Sequence, residues 1–199
     1  MLFKQRLEPK ELTILRILNA RMDLSSKYSN YYSNLEKGYI GEQKFDSLIE
    51  NLSGEWLTLN DILLEFNNKF FQIDTILIFH DVIYLLDVKN FEGDYYIESD
   101  RWYSVPKIEI MNPLDQLKRS ETLFRRYLQN LGFHFAIKSH LIFINPEFYL
   151  YQAPLNHPYI FPAHLNRFLN NLSKKSFKPK DRHIKLAEQL VADHILENP

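Results

Sequence analysis

The chain has 199 residues, of which 45% are hydrophobic and 25% are charged, a balance typical of a folded globular protein. Its net charge of -1 argues against a protein that coats nucleic acid by bulk charge, so a nucleic-acid role would need a local patch. Cysteine is absent, which excludes disulfides, thiolate metal sites and a cysteine nucleophile, and no apolar run has the length of a membrane-spanning helix. We therefore expect no membrane partner and a cytoplasmic location.

The first part of the chain is predicted to be helical. Residues 1–37 carry apolar and tyrosine side chains at steps of three and four, which predicts a helical extension packed on the core. Gly38 and Gly41 are interpreted as the entry to a helix that runs to about Leu52. Glu42 falls on the apolar face of that helix, near an N-terminus where the helix dipole favours a carboxylate. Two interpretations stay open: a favourable first-turn glutamate, or an acid directed into a site.

The stretch from Phe70 to Asn90 is predicted to form a β-hairpin, because two β-branched and aromatic runs flank the polar pair His80-Asp81. A two-residue or four-residue turn places Asp74 directly opposite Asp87. A three-residue loop would instead move the two carboxylates to opposite faces of the sheet.

The predicted pairing also puts Gln72 opposite Lys89, on the same face as the two aspartates and a row of isoleucine and leucine. Facing carboxylates repel one another, and an unpaired charge beside apolar side chains is costly. A divalent cation between Asp74 and Asp87 would relieve both problems. Carboxylate oxygens suit Mg²⁺ or Mn²⁺, and a lysine beside such an ion can orient water or stabilise charge on a phosphate.

The remaining predicted elements surround this hairpin. Asn112 before Pro113 is a strong helix start, and that helix is predicted to end at Gly132. Gln116 and Arg119 share one edge of it. The other predicted elements are strands at 56–66, 95–97, 101–104 and 139–145, the last one buried and following a crossover helix, and short helices at about 163–172 and 181–196.

A lysine-rich run separates the two last helices. Lys174 and Lys175 begin it, and Asp181 is the one acidic residue nearby. Two interpretations stay open here as well: contact with the phosphates of a nucleic acid, or an ordinary solvated loop.

Four motifs follow one another along the chain: Gly38-x-x-Gly41-Glu42, Gln72-Ile73-Asp74, Asp87-Val88-Lys89-Asn90 and Asn112-Pro113-x-x-Gln116-x-x-Arg119. In this order they resemble the nuclease-related domain (NERD) family, which belongs to the restriction-endonuclease-like PD-(D/E)xK superfamily. The resemblance covers roughly residues 38–150. The sequence departs from the family pattern in having Ile73 where a proline precedes the first aspartate, and Asp87 where many relatives carry glutamate.

The resemblance implies an α/β fold of the mixed α+β kind: a helix, three or four mostly antiparallel strands, a helix and a further strand. Residues 1–37 and 151–199 would be helical extensions of the nuclease-related domain at 38–150. The implied metal ligands are Asp74, Asp87 and the Val88 carbonyl, and the implied catalytic residues are Lys89, Glu42 and Gln116. Candidate substrate-binding residues are Arg119, Gln72, Asn90, Lys174 and Lys175.

The function expected from these residues is a Mg²⁺- or Mn²⁺-dependent nuclease that hydrolyses phosphodiester bonds, with DNA preferred over RNA as the partner. One alternative is a non-catalytic module that keeps the fold and binds nucleic acid or a partner protein. Another is a phosphoesterase or other metal hydrolase acting on a small substrate.

Overall fold

The predicted hairpin lies in the middle of a mixed sheet in the computed structural model, which describes residues 1–196. The strand order is β1-β2-β3-β4-β8-β10, with antiparallel β2-β3 and β3-β4 pairs and parallel pairs elsewhere. The strands are β1 (Leu2–Lys4), β2 (Leu57–Phe66), β3 (Lys69–Ile78), β4 (Val82–Lys89), β5 (Gly93–Glu98), β6 (Arg101–Ser104), β7 (Ile108–Ile110), β8 (Ala136–Phe143), β9 (Phe148–Tyr151) and β10 (Tyr159–Ile160).

Four of the five helices in the described chain pack on the two faces of this sheet, and α1 packs against α2, which confirms a mixed α/β fold. Helices α3 and α5 contribute to one apolar cluster with Ile76, Ile78 and Leu85. Helices α2 and α4 contribute to a second cluster with Leu77 and Leu86, because side chains alternate between the faces of a strand. The helices are α1 (Lys10–Arg21), α2 (Ser26–Glu50), α3 (Pro113–Asn130), α4 (Pro162–Ser173) and α5 (Asp181–Ala192).

Helix α3 is the predicted crossover between two parallel strands. The Asn112 side chain accepts a hydrogen bond from the Leu114 N–H at 3.0 Å, and Pro113 occupies the first turn, as the Asn-Pro pair predicts. The chain then returns as β8, which pairs in parallel with β4 from Val82↔Ala136 to Lys89↔Phe143. This connection is what brings the α3 side chains to the end of β4.

A second, four-stranded sheet with order β7-β6-β5-β9 was not predicted, although two of its strands were. It packs on the main sheet through an aromatic cluster that includes Trp102, Phe143 and Phe148. The Phe143 and Phe148 rings stack with centroids 4.1 Å apart. Because β9 pairs with β5 across about fifty residues of chain, local patterns give no sign of it.

The structure corrects two predictions for the N-terminal part of the chain. Residues 1–37 are not wholly helical, since β1 joins the main sheet beside β2. Gly38 and Gly41 do not mark the entry to a helix, because both lie inside the continuous helix α2. The main sheet also continues beyond the β2-β3-β4 meander through three strand pairs, β1-β2, β4-β8 and β8-β10, all of which are parallel. The domain boundaries at 38 and 150 stay a prediction.

No helix within residues 1–196 combines the length and apolar character needed to span a membrane.

Candidate active site

The β3-β4 hairpin has the register predicted from the sequence. Its pairs run from Ile78↔Ile83 to Thr75↔Leu86, and the Phe79 N–H donates to the Val82 carbonyl at 2.9 Å across a two-residue turn. His-Asp is not a favoured turn pair. Tertiary contacts support it here: Arg182 Nη2, at the start of α5, donates to the His80 carbonyl at 2.5 Å and to Asp81 Oδ1 at 3.0 Å.

The ladder between β3 and β4 stops one residue before the two aspartates, which opens the site. Asp74 Oδ2 accepts a hydrogen bond from the Val88 N–H at 2.8 Å, so a carboxylate stands where a strand carbonyl would otherwise accept. Both Asp74 and Asp87 also border the same small cavity against α3. The two carboxylates are therefore neighbours, as the register predicts.

Alternation of side chains breaks at Asp74, and this corrects the predicted face of Gln72. Ile76 and Ile78 share an apolar cluster with Phe71 and Ile73, so the pattern shifts by one residue between 73 and 76. On β2 the opposite residue, Asp61, has a φ of 55°, and the β2-β3 ladder skips this pair. Gln72 consequently does not follow the row of isoleucines. Its side-chain amide donates to Asp61 Oδ1 at 2.6 Å instead.

Asp87 is the most buried acid of the site, with 8% of its surface exposed. Burial and the charge of Asp74 raise its pKa to about 7. The Lys89 Nζ lies 2.6 Å from Asp87 Oδ1 as a close ion pair, and no other donor within residues 1–196 reaches this buried oxygen. A buried carboxylate that can still accept further hydrogen bonds or a metal ion is typical of a cation site.

Lys89 is held between β4 and α3. Its Nζ donates to Gln116 Oε1 at 3.4 Å, which places the predicted helix residue beside the predicted lysine. Burial opposes the charge of Lys89, but the carboxylates of Asp87 and Asp74 outweigh it and raise its pKa. Lys89 is therefore an ammonium group at neutral pH and can donate hydrogen bonds.

Glu42 reaches the site from α2. Gly41 lets this helix approach closely, because a Cβ at position 41 would lie 2.6 Å from Asn90 Cβ. Burial and the charge of Asp74 raise the pKa of Glu42 to about 8, although Arg6 opposes the rise. Arg6 Nη1 donates to Glu42 Oε2 at 2.7 Å.

An open cleft of about 610 Å³ joins these side chains. It brings together most of the predicted site, and Asp87 lies behind it at the α3 cavity. Asn90 also lines the cleft, with its side-chain amide donating to the Lys37 carbonyl at 2.8 Å. The polar residues of the lining include Arg6, Glu42, Asp61, Gln72, Asp74, Lys89, Asn90 and Gln116.

Three predicted substrate-binding residues do not line this cleft. Arg119 turns to β3, where its Nη2 donates to the Phe70 carbonyl at 3.4 Å. Lys174 and Lys175 lie at the end of α4, whose apolar face packs on the α2 side of the sheet. Their proposed contact with nucleic acid stays a prediction.

The donor set fits a cation that keeps most of its bound waters. In residues 1–196, no three acidic or histidine side chains come together closely enough to hold a metal ion. Asp74 and Asp87 remain, and Mg²⁺ is commonly held by one or two carboxylates with water completing its shell. Glu42 lines the same cleft as Asp74 and is engaged by Arg6.

Sequence reasoning missed Arg6 and two acids near it, Asp46 and Asp61. Arg6 carries no motif and lies far from the hairpin along the chain. Asp46 gave a usable signal, since it stands four residues after Glu42 on one helix face, where like charges repel and call for a cation.

The comparisons with known proteins agree with this geometry. Residues 37–144, more than half of the chain, match the family model of the nuclease-related domain (NERD). Searches of curated proteins and of solved structures found no match. The matched segment contains α2 from Lys37 onward, the β2-β3-β4 meander, α3 and β8, and thus the residues of the cleft other than those before position 37. The chain belongs to the nuclease-related domain family.

Proposed function

We propose that this protein is a divalent-metal-dependent nuclease that hydrolyses phosphodiester bonds in DNA. The observation that carries the proposal is the group at the end of β4: neighbouring Asp74 and Asp87 carboxylates, with the Lys89 ammonium as the close partner of the buried Asp87 carboxylate. Family membership makes nucleic acid the expected partner. A cytoplasmic location stays a prediction that the absence of cysteine supports.

Asp74, Asp87 and the Val88 carbonyl would hold Mg²⁺ or Mn²⁺. Such an ion, when bound, supplies positive charge that polarises the phosphate and lowers the pKa of water. Asp74 is oriented for this task by the Val88 N–H, which fixes one oxygen and leaves the other without a donor among the described residues.

Lys89 has a distinct role in this proposal. Because its ammonium group stays protonated, it can donate hydrogen bonds to the attacking water or to a phosphate oxygen as negative charge develops there. Gln116 keeps the ammonium at the mouth of the cleft and offers an amide to the substrate. Gln72 and Asn90 line the same cleft and are proposed to contact the nucleic acid.

Cleavage of plasmid and oligonucleotide DNA with Mg²⁺ or Mn²⁺ tests the proposal. We expect Lys89→Met and Asp87→Asn each to lower the cleavage rate by about 100- to 1000-fold, the loss typical of removing one stabilising group. Lys138→Ala, on an exposed lysine of β8, is the matched control and keeps the wild-type rate. Cleavage that persists in both site variants would refute the proposal.

One observation favours a second candidate function. The family resemblance implies that Glu42 is a catalytic acid, but in this chain Glu42 already forms an ion pair with Arg6. A non-catalytic module that binds nucleic acid or a partner protein would show salt-sensitive DNA binding with no cleavage, unchanged by Lys89→Met.

A further inference from the structure

Arg6 is a buried cation at the acidic end of the sheet, with 4% of its side chain exposed. Its guanidinium makes three short contacts to three different residues. Nη1 donates to Glu42 Oε2 at 2.7 Å, Nε donates to Asp46 Oδ2 at 2.8 Å, and Nη2 donates to the Asp74 carbonyl at 2.7 Å. A planar group with several donors suits this bridging role, which a lysine could not reproduce.

The segment that carries Arg6 is anchored to the main sheet. Strand β1 pairs in parallel with β2, so the chain leaves the sheet edge next to the site. Lys4 Nζ donates to the Asn60 and Asp61 carbonyls at 2.8 and 2.7 Å, at the point where side-chain alternation breaks. Arg6 is therefore held in place by backbone structure, and it lies outside the segment that matches the family.

The contacts of Arg6 divide the acids of the site into two groups. Glu42 and Asp46 form ion pairs with the guanidinium. Within residues 1–196, neither the Asp74 nor the Asp87 carboxylate forms an ion pair with it; Asp74 accepts from the Val88 N–H, and Asp87 pairs with Lys89. Counted as fully ionised, five carboxylates and three cations meet here and leave two negative charges: Glu42, Asp46, Asp61, Asp74 and Asp87 against Lys4, Arg6 and Lys89. One divalent ion neutralises the two remaining negative charges, and a second would leave an excess of positive charge in a partly buried site.

We propose that Arg6 limits the cleft to a single divalent cation, held by Asp74 and Asp87, by engaging Glu42 and Asp46 in place of a second ion. This inference rests on the metal site of the proposed function. It makes Arg6 a positioning residue: it touches neither the ion nor the substrate and acts through the two helix-borne acids.

Titration of the full chain with Mn²⁺ counts the bound ions from the electron paramagnetic resonance signal of free Mn²⁺. This measurement does not depend on nuclease activity. We expect one Mn²⁺ per wild-type chain and two per Arg6→Gln chain. Arg16→Gln is the matched control, because Arg16 also pairs with two glutamates, Glu8 and Glu36, but on the exposed surface. It should bind one Mn²⁺.

A second variant covers the case in which Arg6→Gln does not fold. With Arg6 in place, Glu42→Gln should leave one ion per chain and weaken Mn²⁺ binding only modestly, while Asp87→Asn weakens it by more than about tenfold. Equal weakening by both variants would make Glu42 a ligand and overturn the proposal.

The outcomes separate this inference from the proposed nuclease. One ion in both the wild type and Arg6→Gln overturns the role of Arg6 and leaves a metal-dependent nuclease standing. One ion that rises to two, without any DNA cleavage, supports the role of Arg6 and refutes the nuclease. A wild-type chain that binds no Mn²⁺ refutes both.

Discussion

Replacing Asp87 by asparagine should stabilise the metal-free protein, and the gain should depend on pH. Asp87 is buried beside Asp74, and its pKa rises from its usual value of 3.8 to about 7. Because the folded state binds the proton more tightly than the unfolded chain, the free energy of unfolding falls as pH rises from about 4 to about 7 and then levels off. The stability contributed by the protonated carboxyl is thus present at low pH and lost at neutral pH.

The size of the effect follows from the same numbers. Each pH unit by which a pKa moves corresponds to about 1.4 kcal/mol, so ionising Asp87 costs the folded state about 4 kcal/mol at most. Asparagine has nearly the same shape and no charge, but it gives up the ion pair with Lys89. We therefore expect a net gain of about 1–3 kcal/mol at pH 8, and little or none at pH 4.

Urea unfolding in the presence of a chelator, at pH 4 and at pH 8, measures this difference. Asp81→Asn is the control: Asp81 belongs to the same hairpin but is exposed, and its hydrogen bond with His80 lowers its pKa. That variant should show no gain on raising the pH. Destabilisation of Asp87→Asn at pH 8, or an equal change at both pH values, would refute the paired-carboxylate reasoning.

Two substitutions, each with a control variant, test how the fold positions the site, and the addition of Mg²⁺ tests whether the site binds a cation. Gly41→Ala should lower the free energy of unfolding by about 1–3 kcal/mol, because its Cβ would meet Asn90 at 2.6 Å. Gly38→Ala, three residues earlier in α2 with nothing within 4 Å, should raise it by about 1 kcal/mol; equal effects would contradict the close approach. Asn112→Ala should cost about 1 kcal/mol by removing the cap on the Leu114 N–H, whereas Asn112→Asp should keep it. Saturating Mg²⁺ at about 100 times its dissociation constant should stabilise the wild type by about 2.7 kcal/mol in thermal or urea unfolding, and the absence of any such shift would count against the metal site.

Much of the site was accessible from local sequence patterns. The hairpin register followed from two β-rich runs around His80-Asp81, and the start of α3 followed from Asn112 and its proline. Both are short-range features, in which the partner groups are close in the chain and obey fixed periodicities. The order of the motifs pointed to the same family that the comparison found.

Only the tertiary structure decided which charges meet. The break in alternation at Asp74 moved Gln72 off the predicted face, and β1 brought Arg6 to Glu42 and Asp46. Neither event has a periodic signature, because each depends on strands and helices that pack together from distant parts of the chain. The sequence by itself determined where Asp74, Asp87 and Lys89 lie along two paired strands. The packing of β1 and α2 against the main sheet determined which acids pair with Arg6, since charge pairing depends on distance in space and not on separation in sequence.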